Sequence, residues 1–257
     1  TAQVSALAVT QDGAKADGED ADSVQVQVTD AHDNPVADQA VALTADNGAV
    51  IAKTVTTDEK GQATAPLTSM VAGASTVTAT MLNGNYDTTE VHFVADSATA
   101  QVKSVLLQGD EVSRVADGSS SFRYAVTVTD ANGNPVADQT VTAQADKPDH
   151  VTVAADGATN AAGQTTVTLT STTTAVSDIQ VSVRAGSTGR MVDADKKVSF
   201  VAGAVSPDKS DFVAAPDHIV ADGQAVSTLT LTLRDGNGNA VSGQAATLSA
   251  KVAGAGD

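Results

Sequence analysis

One decapeptide, with the strand pattern leading into it, occurs three times and limits what this chain can fold into. It reads DAHDNPVADQ from Asp30 to Gln39, DANGNPVADQ from Asp130 to Gln139 and DGNGNAVSGQ from Asp235 to Gln244. Apolar residues stand at every second position before each copy: Val24, Val26 and Val28, then Tyr124, Val126 and Val128, then Leu229, Leu231 and Leu233. Successive side chains of a strand point to opposite faces, so each run predicts a strand with one dry and one wet face. Asn, Asp and Gly tolerate positive φ, while Pro35 and Pro135 fix φ and push Asn34 and Asn134 into extended geometry, so the chain must reverse at the decapeptide. The alternation resumes at Val41 and Leu43, at Val141 and Ala143, and at Ala246 and Leu248.

The rest of the period repeats as well. Ala16-Asp17-Gly18, Ala116-Asp117-Gly118 and Ala221-Asp222-Gly223 close a polar loop just ahead of each alternating strand. QATAPLTS from Gln62 matches QTTVTLTS from Gln164, and the closing strands carry Val91 and Phe93 in one copy and Val198 and Phe200 in the other. Val77, Ala79 and Met81 align with Ile179, Val181 and Val183. Pro66 cannot donate to a ladder, so its nitrogen should face away from a neighbouring strand. About seven short strands per period, turn signals every eight to twelve residues and no apolar spacing of a helix predict tandem antiparallel β-sandwiches of the immunoglobulin-like kind. The units are placed at residues 1–97 and 98–203, with residues 204–257 as the first half of a third, truncated repeat, so the chain reads as a piece of something longer. Phe93-Val94-Ala95-Asp96 runs almost directly into Ala100, and Phe200-Val201-Ala202-Gly203 into Ala204, with no Gly/Ser-rich or Pro-rich linker. Units joined so closely should abut as a stiff rod, on the order of 100 Å long for nearly three.

The absence of cysteine excludes disulfides, thiolate metal sites and a cysteine nucleophile, so packing alone must hold the units. A net charge of −17 disfavours nucleic acid and anionic lipid as partners. There is no Met at the start, no apolar signal segment and no transmembrane run.

The order A-D-G, V-x-V-x-V-T-D-x-x-x-N-P-V, T-D-x-x-G-x-A-x-x-x-L-T-S and a closing F-V-A resembles the bacterial immunoglobulin-like (Big-1) repeats of the intimin/invasin family of outer-membrane adhesins, the inverse autotransporters. The resemblance covers the whole chain. It implies a segment of the stalk of a bacterial cell-surface adhesin, lying on the extracellular side of the outer membrane and projecting a distal binding domain toward host cells. The partners it implies are a host cell-surface or extracellular-matrix protein, met directly or through a distal domain, and neighbouring Ig-like repeats of the same chain. The alternative it leaves is that one of these domains is itself a host-protein-binding module, which an exposed patch at Phe122, Phe212 or Tyr86 would favour.

No residue set supports catalysis or a cofactor: there is no G-x-S-x-G, no Gly-rich loop before a helix and no Ser/His/Asp set. Asp130-x-Asn132-x-Asn134 and Asp235-x-Asn237-x-Asn239 open like a calcium-binding EF-hand loop. However, Pro135 stands where that loop needs Gly, no Glu occupies the twelfth position, and the first copy has His32. Turn chemistry accounts for these residues, so no metal site is assigned there. Asp193, Asp195 and the acids from Asp17 to Asp22 are weaker candidates at the joints. His32, His92, His150 and His218 lack paired ligand spacing and read as surface residues. Tyr124 belongs to the core face, whereas Phe122 reads as an edge contact with the preceding unit or an exposed ligand contact. Arg114, Arg123, Arg184 and Arg190 concentrate in the second unit, where a ligand or neighbouring unit could use them.

Overall fold

The computed structural model describes residues 1–251 and consists of strands with a single short 3-10 turn at Ser97–Thr99. The first unit holds β1 (Gln3–Gln11), β2 (Asp22–Thr29), β3 (Ala40–Ala45), β4 (Val50–Ile51), β5 (Thr54–Thr56), β6 (Gln62–Thr68), β7 (Gly73–Met81) and β8 (Tyr86–Phe93). They form two antiparallel sheets ordered β1-β2-β6-β4 and β5-β3-β7-β8. The alternating run supplies the dry face: Val24, Val26 and Val28 of β2 meet Val41 and Leu43 of β3 and Val77 and Ala79 of β7 in one buried cluster. Pro66 lies opposite Ser23, and β4 stops at Ile51, opposite Leu67, so no strand on that side reaches Pro66 to ask for its missing N–H.

The second unit repeats this plan with β9 (Gln101–Leu107), β10 (Ser113–Val115), β11 (Ser121–Thr129), β12 (Val141–Ala145), β13 (Val151–Ala155), β14 (Gln164–Ser171), β15 (Val176–Ile179), β16 (Val181–Ala185), β17 (Val192–Asp193) and β18 (Val198–Val201). One sheet is β13-β14-β11-β9, and the other is divided into β12-β16-β17 and β10-β18-β15. The register corrects one sequence alignment. Met81 pairs with Val41 and Ala185 with Val141, so Val77, Ala79 and Met81 correspond to Val181, Val183 and Ala185. A slip of two keeps every side chain on its own face, so the hydrophobic pattern could not detect it.

Aromatic packing distinguishes the second core. Phe122 is buried against Phe200 with ring centroids 5.2 Å apart, and the Arg114 guanidinium lies 5.0 Å from the Phe122 centroid. Phe122 is therefore neither a joint contact nor an exposed one: β11 starts one pair earlier than its alternating valines suggest, and residue 122 shares their inward face. Arg114 and Arg123 also serve the unit itself, Arg114 pairing with Glu111 and Arg123 with Asp156, each at 3.1 Å.

Tyr124 is fully buried in this core and its hydroxyl has no hydrogen-bond partner; burial, followed by the Asp195 charge, pushes its pKa up. A buried hydroxyl without a partner carries an uncompensated desolvation cost. Tyr124→Phe is expected to stabilise the second unit by about 1 kcal/mol, seen as a rise of several degrees in its calorimetric midpoint. A lower midpoint would mean that the hydroxyl is satisfied.

The third segment is sparser. Strands β19 (Asp211–Ala215) and β20 (Thr228–Thr232) pair, but residues 241–251 form no strand, so Ala246 and Leu248 do not resume the ladder. Leu229 and Leu231 are 52% and 39% exposed and Phe212 is 56% exposed, against the expectation of a dry face, because among the described residues no second sheet covers them.

Candidate functional site: the joints between the units

The local chemistry of the decapeptide fixes its shape. Asp130 Oδ1 accepts from the backbone N–H of Asn132 and Asn134 at 2.9 and 2.8 Å, and its Oδ2 accepts from Asn134 Nδ2 at 2.9 Å. Asp235 holds Asn237 and Asn239 in the same way, at 2.9, 2.8 and 2.9 Å. Asp, followed by Asn two and four residues on, thus folds a closed turn on which the two Asn side chains are held in place.

Those side chains reach into the preceding unit. Asn134 Oδ1 accepts from Ala72 N–H at 2.8 Å, Asn134 Nδ2 donates to Met70 O at 3.1 Å, and Asn132 Nδ2 donates to Ala16 O at 2.9 Å. Asp96 N–H, on the connecting segment, donates to Asp130 Oδ2 at 3.2 Å. The next joint reproduces each bond: Asn239 Oδ1 accepts from Ala175 N–H at 2.8 Å, Asn239 Nδ2 donates to Thr173 O at 2.8 Å, Asn237 Nδ2 donates to Ala116 O at 3.1 Å, and Gly203 N–H donates to Asp235 Oδ2 at 2.8 Å. Asp130 and Asn134 are 1% and 7% exposed, so the first joint keeps them from water, where such bonds count for more.

The Ala-Asp-Gly loop is the receiving side. Ala16 and Ala116 donate their N–H to Val94 O and Val201 O at 2.8 and 2.9 Å, inside their own units, which leaves their carbonyls for the next unit's Asn. Asp17 Oδ1 accepts from Glu19 and Asp20 N–H, and Asp117 Oδ1 from Ser119 and Ser120 N–H, closing each loop. Gly18 and Gly118 both sit at φ +81°, which a side chain would resist.

These bonds give the carboxylates a structural task. Backbone and amide N–H groups surround both oxygens of Asp130 and Asp235, whereas a calcium ion needs oxygen ligands around it. Asp193 accepts from Ser182 Oγ at 2.6 Å and Asp195 from Leu107 N–H at 2.8 Å, so they turn to different partners. Asp22 Oδ1 accepts from Ala14 N–H at 2.9 Å, and burial raises its pKa. Among the described residues no three of His, Asp and Glu are grouped as a metal site. His92 contacts Asp12 at 3.3 Å and Glu90 at 3.0 Å, His218 contacts Asp217 at 3.0 Å, and His32 is exposed in the first turn.

Burial alone would raise Asp235, but the hydrogen bonds from the Asn239 side chain, Gly203 N–H, Asn239 N–H and Asn237 N–H outweigh it and bring the pKa down to about 2. A carboxyl depressed in the closed joint favours that joint above the ordinary carboxylate pKa near 4, and the benefit disappears as pH falls toward 2. The distance distribution between spin labels on the second unit and the third segment should therefore broaden between pH 4 and 2 and stay constant from pH 5 to 7. Constancy down to pH 2 would mean that the ionised Asp235 does not hold the joint.

Sequence reasoning assigned these residues to turns and missed their reach across the joint. The recurrence of both Asn positions beside a recurring Ala-Asp-Gly was the available signal; Met70, Ala72, Thr173 and Ala175 contribute backbone groups, which leave none.

Comparison with known proteins gives concordant results. Residues 4–94 and 104–201 match the bacterial Ig-like domain (group 1), and residues 206–257 match invasin, domain 3. The chain is 32% identical over 252 residues to the inverse autotransporter adhesin YeeJ of Escherichia coli (strain K12), covering 92% of this chain and 10% of that protein. It is 37% identical over 112 residues to invasin of Yersinia enterocolitica, covering 43% of this chain and 13% of that protein. The chain thus spans only about a tenth of the length of these relatives. Among solved structures, the Escherichia coli adhesin FdeC superposes with a TM-score of 0.64 at 22% identity, over 94% of this chain and 76% of FdeC, a likeness of fold.

Proposed function

Because the chain belongs to the bacterial Ig-like domain (group 1) family, we propose that it is a stiff segment of the stalk of an intimin/invasin-type surface adhesin, made of units at 1–97, 98–203 and 204–257. The adhesin Ig-like family is non-enzymatic, so the task assigned to the segment is mechanical. The observation that carries the reading is the repetition of one hydrogen-bonded joint at both connections, with four matching contacts each and no flexible linker. A sandwich is rigid by its core, and a row of sandwiches transmits that rigidity only if each joint resists bending. Such a row would sit outside the outer membrane and hold a more distal part of a longer protein, which meets a host cell-surface or extracellular-matrix protein, away from the bacterial surface.

A second reading has one observation in its favour: Tyr86 and Leu82, at the β7–β8 hairpin of the first unit, are exposed and could contact a protein partner directly. Titration of the purified chain onto host cells separates the two. The spacer reading expects no saturable binding, together with detection of the chain on intact bacteria by antibody. Saturable binding abolished by Tyr86→Ser with Leu82→Ser would replace it with the binding-module reading, and absence from the bacterial surface would overturn both.

A further inference from the structure

Two of the three signature turns place an Asn-Gly pair at a joint: Asn132-Gly133 and Asn237-Gly238, where the first copy has His32-Asp33. In an Asn-Gly pair the asparagine amide is most open to attack by the next backbone nitrogen, because glycine has no Cβ to shield that nitrogen. Nothing lies within 4 Å of a Cβ built on Gly133 or Gly238, and both asparagines are exposed, so water reaches them. Asn134, the other asparagine of the first joint, is followed by Pro135, which has no N–H to attack with.

The closed joint holds both reacting groups. Asn132 Nδ2, the leaving group, donates to Ala16 O at 2.9 Å, and Gly133 N–H, the nucleophile, donates to Asp130 O at 3.2 Å. The second joint has the same two bonds, Asn237 Nδ2 to Ala116 O at 3.1 Å and Gly238 N–H to Asp235 O at 3.1 Å. An amide tied to the neighbouring unit does not turn its Cγ toward the glycine nitrogen, and that nitrogen keeps its proton on the Asp carbonyl.

We propose that Asn132 and Asn237 are deamidation sites protected by the closed joint, so that a joint left open is converted irreversibly into a loose one. In the reaction Gly133 N gives up its proton and bonds to Asn132 Cγ, the Cγ–Nδ2 bond breaks, and ammonia leaves with that proton. Water then opens the cyclic imide at either carbonyl and leaves aspartate or its β-linked isomer, with no oxidation or reduction. The product has no Nδ2 to offer Ala16 O and sets a negative charge against that carbonyl, two residues from Asp130. A joint that has reacted does not close again, and stiffness is lost one joint at a time.

Asn83-Gly84 is the internal control. Its Nδ2 donates to Ala2 O at 2.8 Å and Gly84 N–H donates to Met81 O at 2.9 Å, the same double tie made wholly inside the first unit. The purified full chain, kept in mildly alkaline buffer and sampled by peptide mass mapping, is compared with Asn134→Ala and Asn239→Ala. Reaction through a local opening proceeds in proportion to the open population, so Asn134→Ala should speed loss of the Asn132 amide about tenfold and leave Asn83 and Asn237 at their former rates. Asn239→Ala should speed Asn237 alone. Spin labels at Thr44→Cys and Gln144→Cys should read a narrow distance in the unsubstituted chain and a broad one after Asn132→Asp. The inference rests on the closed joint, which the unsubstituted distance tests by itself. An Asn132 rate that Asn134→Ala leaves unchanged, or a distance that stays narrow with Asn132→Asp, would overturn the proposal while leaving the joint standing.

Discussion

Replacing Asn134 and Asn239 together by alanine is expected to convert the stiff row into a chain of beads that bend at both joints. At the first joint the change leaves Ala72 N–H and Met70 O without partners and takes one donor from Asp130; at the second it does the same to Ala175, Thr173 and Asp235. Orphaned backbone groups cost roughly 1–3 kcal/mol each when water is kept out. Opening the joint readmits water, so the closed form should lose about 2 kcal/mol, or some thirtyfold in population. The sandwich cores do not use these side chains, so each unit's own unfolding midpoint should hardly move while small-angle scattering reports a wider spread of overall dimensions. Asn134→Asp should act more strongly despite its matching shape, since it exchanges the Nδ2 donor for a second carboxylate facing Asp130. Unchanged scattering with Asn134→Asp would contradict a load carried by this side chain.

The largest effect on a unit itself is expected from Gly163→Val. Gly163 takes φ +68°, its carbonyl accepts from Val128 N–H at 2.8 Å, and a Cβ there would press on the Val128 carbonyl and come within 3.1 Å of Pro135 Cα. Neither neighbour is a flexible side-chain end that could swing away. Left-handed backbone costs a side chain about 1–2 kcal/mol, and overpacking adds roughly 1–3. A loss near 3 kcal/mol in a unit of about a hundred residues lowers its midpoint by something over 10 °C. Calorimetry of the intact chain should show the second-unit transition falling while the first stays in place. Gly133→Ala supplies the contrast: its φ is +90° but nothing lies within 4 Å of a Cβ, so backbone strain alone should appear, about 1 kcal/mol. Equal effects of the two substitutions would contradict the steric argument.

The strands and their inward faces were legible because alternation is a direct imprint of the pleat: Val24, Val26, Val28, Tyr124, Val126 and Val128 are all buried as their spacing predicts. The same periodicity hid the correspondence of Val77 with Val181, since a two-residue slip leaves faces unchanged. It also said nothing of Leu229 and Leu231, whose burial depends on a sheet that must come from elsewhere in space. Phe122 was misplaced because its counterpart is Asp22. Both prove to be buried, Phe122 packed against Phe200 and Asp22 accepting through Oδ1 from Ala14 N–H while its Oδ2 has no partner, so matching positions can be filled by opposite chemistries. The joint was half legible. Asp130 and its two Asn residues announced a turn, but all four bonds they make across the joint end on backbone atoms, three in the preceding unit and one in the connecting segment, which no side-chain pattern encodes.

If the Asp-Asn-Asn turn holds the units in one mutual orientation, the absence of cysteine makes that orientation directly measurable. Spin labels at Thr44→Cys and Gln144→Cys, both on exposed strand positions, report the distance across the first joint. A single narrow peak that broadens with Asn134→Ala is the predicted result. A broad distribution in the unsubstituted chain would contradict it.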